Sequence, residues 1–157
     1  MPVAVEPLWQ LAQLPGAVLP IAKEYGAAVI GLCMDDDGIP ETPELRLGVA
    51  KKIVERAASH GIPREDILID CLALTVGADS KAGWITLEAI RMVKEELGVN
   101  MALGASNVSF GLPDRHTLNQ AFLALAIGAG ATCVITDPAK LTATIRAADL
   151  LMGRDAR

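Results

Sequence analysis

Four segments of the chain repeat one order of hydrophobic and polar positions: a helical stretch, a glycine, a short apolar run and a polar loop. The glycines and apolar runs are Gly26 before residues 27–34, Gly61 before 66–74, Gly98 before 100–106 and Gly130 before 132–137. Glycine is favoured just past a helix end because it adopts the left-handed conformation that other residues resist. The runs start roughly 32 to 39 residues apart, which is the length of a βα unit. The pattern therefore predicts four βα units over residues 26–152, within a single domain of residues 1–157.

The intervening polar stretches carry the signals of amphipathic helices. Thr42 followed by Pro43 is a typical helix start, and Asp114 and Asp137 are candidate caps for two later helices. The apolar stripe predicted for the first of these helices consists of Leu45, Val49, Ile53 and Ala57. The stripe predicted for the helix after Asp114 consists of Leu118, Phe122 and Leu125.

The lead-in of residues 1–25 is less regular. Pro15 and Pro20 interrupt residues 7–25, which predicts a broken helix or a loop followed by a short helix. Four βα units fit two architectures, an open parallel sheet or half of a (β/α)8 barrel, which typically needs about 250 residues. Length alone favours the open sheet.

Composition and charge exclude several classes of function. The chain has 157 residues, of which 52% are hydrophobic and 3% aromatic, so the core must be aliphatic. A net charge of −5 argues against nucleic-acid binding, and no apolar run is long enough to span a membrane. Cys33, Cys71 and Cys133 lack metal-ligand spacing, which favours buried, reduced thiols in a cytoplasmic protein without a metal.

Candidate binding residues lie where the predicted strands end. Ser106, Asn107 and Ser109 follow the third apolar run, and Asp70 interrupts the second. Such a carboxylate could accept two N–H groups from one edge of a heterocycle, or it could cap a backbone turn. The run of residues 35–37, three aspartates, could chelate a cation but is more typical of a turn. Neutral polar groups at strand ends indicate a flat polar ligand and no nucleophile with its base.

These residues resemble the pterin-binding methyltransferases, which include the folate-binding module of cobalamin-dependent methionine synthase and the methyltetrahydrofolate:corrinoid/iron–sulfur protein methyltransferase. The resemblance covers residues 19–151 and is strongest in residues 106–113, Ser-Asn-Val-Ser-Phe-Gly-Leu-Pro. Two further stretches agree in order, residues 28–34 with Gly-Ile-Pro at 38–40 and Arg46, and residues 61–70 ending in Asp70. Cys71 stands where the family usually has proline.

The resemblance implies a barrel related to dihydropteroate synthase, with the pterin at the carboxyl ends of the strands. Asp70 then holds the pyrimidine edge of the pterin, and Asn107 reaches N5 as the catalytic residue. Gly104, Ser106 and Ser109 are further substrate-binding residues. The implied reaction is methyl transfer from 5-methyltetrahydrofolate to the cobalt of a cobalamin (corrinoid) on a partner protein. Dihydropteroate synthase itself is a weaker alternative, because it carries Ser-Arg-Lys where this chain has Ser106, Asn107 and Val108.

The resemblance also implies that the chain corresponds to the C-terminal half of such a barrel. Nothing before Leu19 resembles the family's first four strands, which carry further pterin-binding residues. A half-barrel exposes two sheet edges, which need pairing. We expect a homodimer, a separate N-terminal-half chain, or a truncated product. The alternative to an enzyme is a non-catalytic module that binds pterin or is purely structural. A third hypothesis is an unrelated α/β protein with an open sheet.

Overall fold

The computed structural model describes residues 3–6 and 18–154, and this part of the chain forms a parallel sheet covered by helices. The strands are β1 (Val3–Glu6), β2 (Ala28–Leu32), β3 (Ile67–Asp70), β4 (Asn100–Leu103) and β5 (Cys133–Val134). The helices are α1 (Val18–Glu24), α2 (Pro43–Ser59), α3 (Ala82–Leu97), α4 (Arg115–Ala129) and α5 (Pro138–Leu151). Short 3-10 turns lie at Arg64–Asp66 and Ala105–Ser109.

The strand order in the sheet is the order in the chain, from β1 to β5, and every neighbouring pair is parallel. Because parallel crossovers are right-handed, a sequential order places successive helices on the same face of the sheet. A doubly wound sheet would instead reverse its strand order at a switch point. The arrangement is therefore that of half a (β/α)8 barrel, as the resemblance implied. The open, doubly wound sheet that the chain length alone favoured is wrong.

The lead-in contains a strand that the sequence pattern missed. Residues Val3–Glu6 form β1, which pairs in parallel register with residues 28–31 of β2. The short helix predicted after a loop is α1, and Pro20 lies in its first turn, where a missing N–H costs little. The predicted interruption at Pro15 lies outside the described residues.

Two of the three predicted helix caps are present. The Thr42 hydroxyl accepts the Leu45 N–H at 3.3 Å, and a carboxylate oxygen of Asp137 accepts the Ala139 N–H at 3.0 Å. The prediction for Asp114 is wrong, because its backbone is left-handed (φ 48°) and its side chain makes no capping hydrogen bond. Gly98 ends α3 in the left-handed conformation (φ 62°), as its position after the helix predicted.

The core lies between the sheet and the helices and is aliphatic. Val49, Ile53 and Ala57 are buried as predicted, whereas Leu45 is exposed. A spacing of four residues drifts about 40° per step around a helix of 3.6 residues per turn, so a four-member stripe cannot stay on one face. On α4 the cause is different: the buried face consists of Phe122, Leu123, Ala126 and Ile127, and Leu118 and Leu125 lie beyond its Phe122 edge, so both are exposed. Within the described residues, no helix has the length and apolar character needed to cross a membrane.

We expect Leu123→Ala to lower the free energy of unfolding by about 2–5 kcal/mol, because its α4 side chain is 0% exposed and truncation leaves a cavity. Leu125→Ala is the matched control on the same helix, since Leu125 is 59% exposed. That variant should change stability by less than about 0.5 kcal/mol. Urea denaturation measures both, and equal losses would contradict the assigned face of α4.

Candidate functional site

Asp70 is the last residue of β3 and lies on the face of the sheet opposite the helices. Ile67, Ile69 and Cys71 belong to the core on the helix side, and side chains alternate along a strand. Asp70 therefore points to the side that is the interior of a barrel, at the carboxyl end of its strand. It is only 6% exposed. One carboxylate oxygen accepts the Leu72 N–H at 2.8 Å.

Burial raises the pKa of Asp70, because the surroundings disfavour the charged form. Hydrogen bonds from the backbone at Leu72 and Gly104 act in the opposite direction. The bond to Leu72 is the local turn that the sequence allowed as an alternative, and it also fixes the direction of the carboxylate. A bound ligand with two N–H donors would restore the solvation that this carboxylate has lost.

The turn after Asp70 is held by a buried arginine on α2. Leu72 has a left-handed backbone (φ 60°), which is uncommon for a residue with a branched side chain. The Arg46 Nη1 donates to the carbonyls of Cys71 at 2.8 Å and Leu72 at 3.0 Å. Its Nε donates to the carbonyl of Pro40, at 2.9 Å, in the loop after β2.

Arg46 is 1% exposed, and burial lowers its pKa. Its guanidinium also donates to the Thr86 hydroxyl of α3 at 3.3 Å. The sequence indicated Arg46 only as part of a family motif, and its structural role was missed. The sequence signal that could have revealed this role is an arginine within the otherwise apolar face of α2.

Asn107 lies in the 3-10 turn Ala105–Ser109 that follows β4, and its side chain is exposed. Its Nδ2 lies 3.6 Å from where a Cβ on Gly104 would be, so the amide lies over the Gly104 backbone. Because the backbone of Gly104 also lies close enough to the Asp70 carboxylate to lower its pKa, the two predicted site residues flank the same glycine. The structure thus brings Asp70, Gly104 and Asn107 together at adjoining strand ends.

Ser106 and Ser109 hold the turn that carries Asn107. The Ser109 hydroxyl is 0% exposed; it donates to Asn119 Oδ1 at 2.7 Å and accepts from Arg115 Nε at 3.1 Å. An Nη2 of Arg115 donates to the carbonyl of Ser106 at 2.9 Å. Ser109 therefore differs from the expected ligand contact, since its polar atom faces α4. Asn119 and Arg115 are supporting residues whose contacts the sequence did not indicate.

The remaining candidate residues are the aspartates in the loop after β2 and the three cysteines. Asp35 accepts the Asp37 N–H at 3.1 Å, which is the turn role that the sequence favoured. Across residues 3–6 and 18–154 no group of three or more His, Cys, Asp or Glu side chains is arranged to hold a metal. Cys33 and Cys71 are buried free thiols, but Cys133 is exposed on β5, so its predicted burial is wrong.

The thiols of Cys33 and Cys71 lie close enough to interact, and Cys71 directly follows Asp70 in the chain. A hydrogen bond with Cys33, together with burial, raises the pKa of Cys71 well above its ordinary value. The Cys71 thiol therefore remains neutral at physiological pH and adds no charge near the carboxylate of Asp70.

We expect Asp70→Asn to stabilise the fold relative to wild type as the pH rises from about 3.9, the ordinary pKa of aspartate, through the raised folded-state pKa. Below 3.9 the carboxyl is protonated in both folded and unfolded states, so the difference stays at its low-pH value. Urea denaturation across pH measures it, and Asp36→Asn, at an exposed aspartate, is the control. A difference that is independent of pH would contradict the burial argument.

We expect Arg46→Met to lower the free energy of unfolding by roughly 3 kcal/mol or more, because three carbonyls lose the guanidinium as donor and, within the described residues, only that of Leu72 keeps another, the Thr86 hydroxyl. Arg56→Met on the exposed side of α2 removes the same charge and should change stability by less than about 0.5 kcal/mol. Thermal or urea unfolding compares the two. Similar losses in both variants would show that charge, and not the hydrogen bonds to the loop, is responsible.

The chain is similar to proteins of known function. A family model described as "Pterin binding enzyme" matches residues 10–137. The chain is 36% identical over 129 residues to methionine synthase of Mycobacterium leprae, covering 77% of this chain and 11% of that protein. It is 30% identical over 132 residues to methylcorrinoid:tetrahydrofolate methyltransferase of Eubacterium limosum, covering 81% of this chain and 48% of that protein.

Solved structures show the same fold. A dihydropteroate synthase from Coxiella burnetii, in complex with pteroic acid, superimposes with a TM-score of 0.71 at 19% identity. A second dihydropteroate synthase structure gives a TM-score of 0.69 at 18% identity. Each comparison covers 98% of this chain and 60% of the other chain. The chain spans about half the length of the methyltransferase and about a tenth of methionine synthase. The chain belongs to the pterin-binding enzyme family.

Proposed function

We propose that this chain is the folate-binding part of a methyltransferase that moves a methyl group from 5-methyltetrahydrofolate to the cobalt of a corrinoid protein. The observation that carries the proposal is the placement of Asp70 and Asn107 on either side of Gly104, at the carboxyl ends of β3 and β4. Relatives at 30% identity or more are methionine synthase and methylcorrinoid:tetrahydrofolate methyltransferase, which supports this reaction class.

Asp70 binds the pyrimidine edge of the pterin in this proposal. That edge offers a ring N–H and an exocyclic amine side by side, and a carboxylate accepts both at once. The carboxylate is oriented in advance by the Leu72 N–H and is buried, so little solvent competes for it. Asp70 therefore supplies affinity and orientation.

Asn107 acts at pterin N5. When the methyl group leaves, the C–N5 bond breaks, its electron pair stays on N5 and a proton is taken up there. An amide N–H directed at N5 stabilises the changing charge but cannot itself supply the proton. The proton must come from solvent or another acid, so loss of Asn107 slows transfer without abolishing pterin binding.

The nucleophile comes from outside this chain. A corrinoid on a partner protein supplies a reduced cobalt that attacks the methyl group, and the exposed position of Asn107 leaves N5 accessible to it. The cysteines of the chain are free, which suits a reducing, cytoplasmic setting.

Completion of the pocket by further barrel units is part of the proposal. The five described strands form part of a barrel that does not close on itself: among them β1 pairs only with β2, and β5 only with β4. A second copy of this chain or a chain corresponding to an N-terminal half would pair with the free strand edges and close the pocket. A module that binds pterin without catalysis is the second candidate, favoured by the open pocket.

We expect Asn107→Ala to lower the rate of methyl transfer at least tenfold while folate affinity changes by less than about threefold, since the amide acts on N5 in the transition state. Asp70→Ala should instead weaken folate binding itself. Transfer is measured as tetrahydrofolate formed from 5-methyltetrahydrofolate in the presence of a reduced corrinoid protein, and binding by calorimetry.

Asn100→Ala is the matched control. Asn100 is an amide residue at the amino end of β4, the strand that precedes the turn with Asn107, and its Nδ2 donates to the carbonyl of Glu65. It should leave both measurements unchanged. Saturable folate binding without transfer, with and without added copies or an N-terminal-half chain, would support the non-catalytic module. Absence of both binding and transfer would refute the proposed function.

A further inference from the structure

A cleft of about 460 Å³ opens beside the proposed pterin site, between the turn after β4 and the starts of α4 and α5. Ser106 lines one side of it, and Arg115, His116 and Lys140 bring basic side chains to its walls. Asp137 contributes a carboxylate, which caps α5 and lies 3.3 Å from the Lys140 ammonium. The basic groups outnumber the acidic one.

This basic cleft stands out in a chain whose net charge is −5. At the same end of the sheet, the loop after β2 is acidic, with aspartates at residues 35–37 and Glu41 and Glu44 nearby. The carboxyl end of the sheet is therefore polarised, with negative charge beyond β2 and positive charge beyond β4 and β5. A ligand that lies across it must present hydrogen-bond donors at one end and anionic groups at the other.

Arg115 is positioned by hydrogen bonds to uncharged groups, so its positive charge has no anionic partner in the described residues. Its guanidinium donates to the Ser109 hydroxyl at 3.1 Å and to the Ser106 carbonyl at 2.9 Å, both of which are uncharged acceptors. It also lies 5.8 Å from the centre of the Phe110 ring. Within residues 3–6 and 18–154 it forms no salt bridge. A positioned cation with only neutral partners is available to an anionic ligand.

Ser106 precedes Asn107 in the chain, so the cleft begins next to the residue assigned to pterin N5. In tetrahydrofolate, N5 is bonded to C6, and C6 carries the p-aminobenzoyl-glutamate tail. The tail must therefore start beside Asn107. A tail that runs over Ser106 brings its carboxylates to Arg115 and Lys140, whereas a tail that runs towards β3 and β2 brings them to Asp70 and the acidic loop.

We propose that this cleft binds the glutamate carboxylates of the folate, so that the preferred substrate is a folate with more than one glutamate in its tail. The inference rests on the proposed function and adds a substrate class to it. The contact is electrostatic and exposed, so the preference for a longer tail should weaken as salt is raised.

The test measures affinity for three ligands by calorimetry: 6-methyltetrahydropterin, which has no tail, 5-methyltetrahydrofolate with one glutamate, and the same folate with three. We expect affinity to rise with tail length in the wild-type chain. Lys140→Glu should reduce the gain from the longer tail about fivefold and leave the affinity for the tail-less pterin unchanged. Arg115→Gln provides a second variant at the cleft.

Arg146→Glu is the control, because Arg146 lies further along α5 and is exposed. It makes the same change in net charge and should keep the tail preference. Equal affinity for all three ligands in the wild-type chain, or an equal loss in Arg146→Glu and Lys140→Glu, would overturn the inference while the proposed function stands. Failure of the tail-less pterin and both folates to bind would refute the proposed function and this inference with it.

Discussion

The hydrogen bonds from Arg46 to the carbonyls of Pro40, Cys71 and Leu72 are the constraint on which the site depends. They join α2 to the loops after two neighbouring strands and hold Leu72 in a backbone conformation that is unfavourable for its side chain. In that conformation the Leu72 N–H points back to the Asp70 carboxylate. A buried guanidinium is costly to desolvate, and here three carbonyls and a hydroxyl replace its water.

The carboxylate that this network orients is itself unfavourable to the isolated fold. Its pKa is raised by burial, which means that keeping it ionised at neutral pH destabilises the folded chain. Core aliphatic packing around Ile67, Ile69 and Met101 offsets that cost. A group kept at the expense of stability is typical of a binding site, because a ligand that donates to it recovers the lost interaction.

Local signals in the sequence predicted most of the fold. The glycine at Gly98 and the cap at Thr42 depend on a few neighbouring residues, so they could be read directly. The β1 strand could not, because four residues without a flanking glycine carry little periodicity and their pairing to β2 is non-local. The placement of Asp70 and Asn107 at adjoining strand ends followed from the βα pattern, but the contacts that fix them did not. Arg46 bonds to residues 25 and 26 positions away, and no spacing rule reaches that far.

The same distinction explains why the proposed pterin-binding residues and the residues that support them differ as sequence signals. Asp70 stands out because it interrupts an apolar run, and Asn107 because it is a polar residue directly after one. Ser109 stands out for the same reason, yet its hydroxyl serves Asn119 and Arg115. Polarity at a strand end therefore locates the functional edge of the sheet without saying which groups face the ligand. That assignment needs the direction of each side chain, and at this edge the helices decide it: groups bonded to α4 build the turn, and groups on the open face of the sheet remain for the ligand.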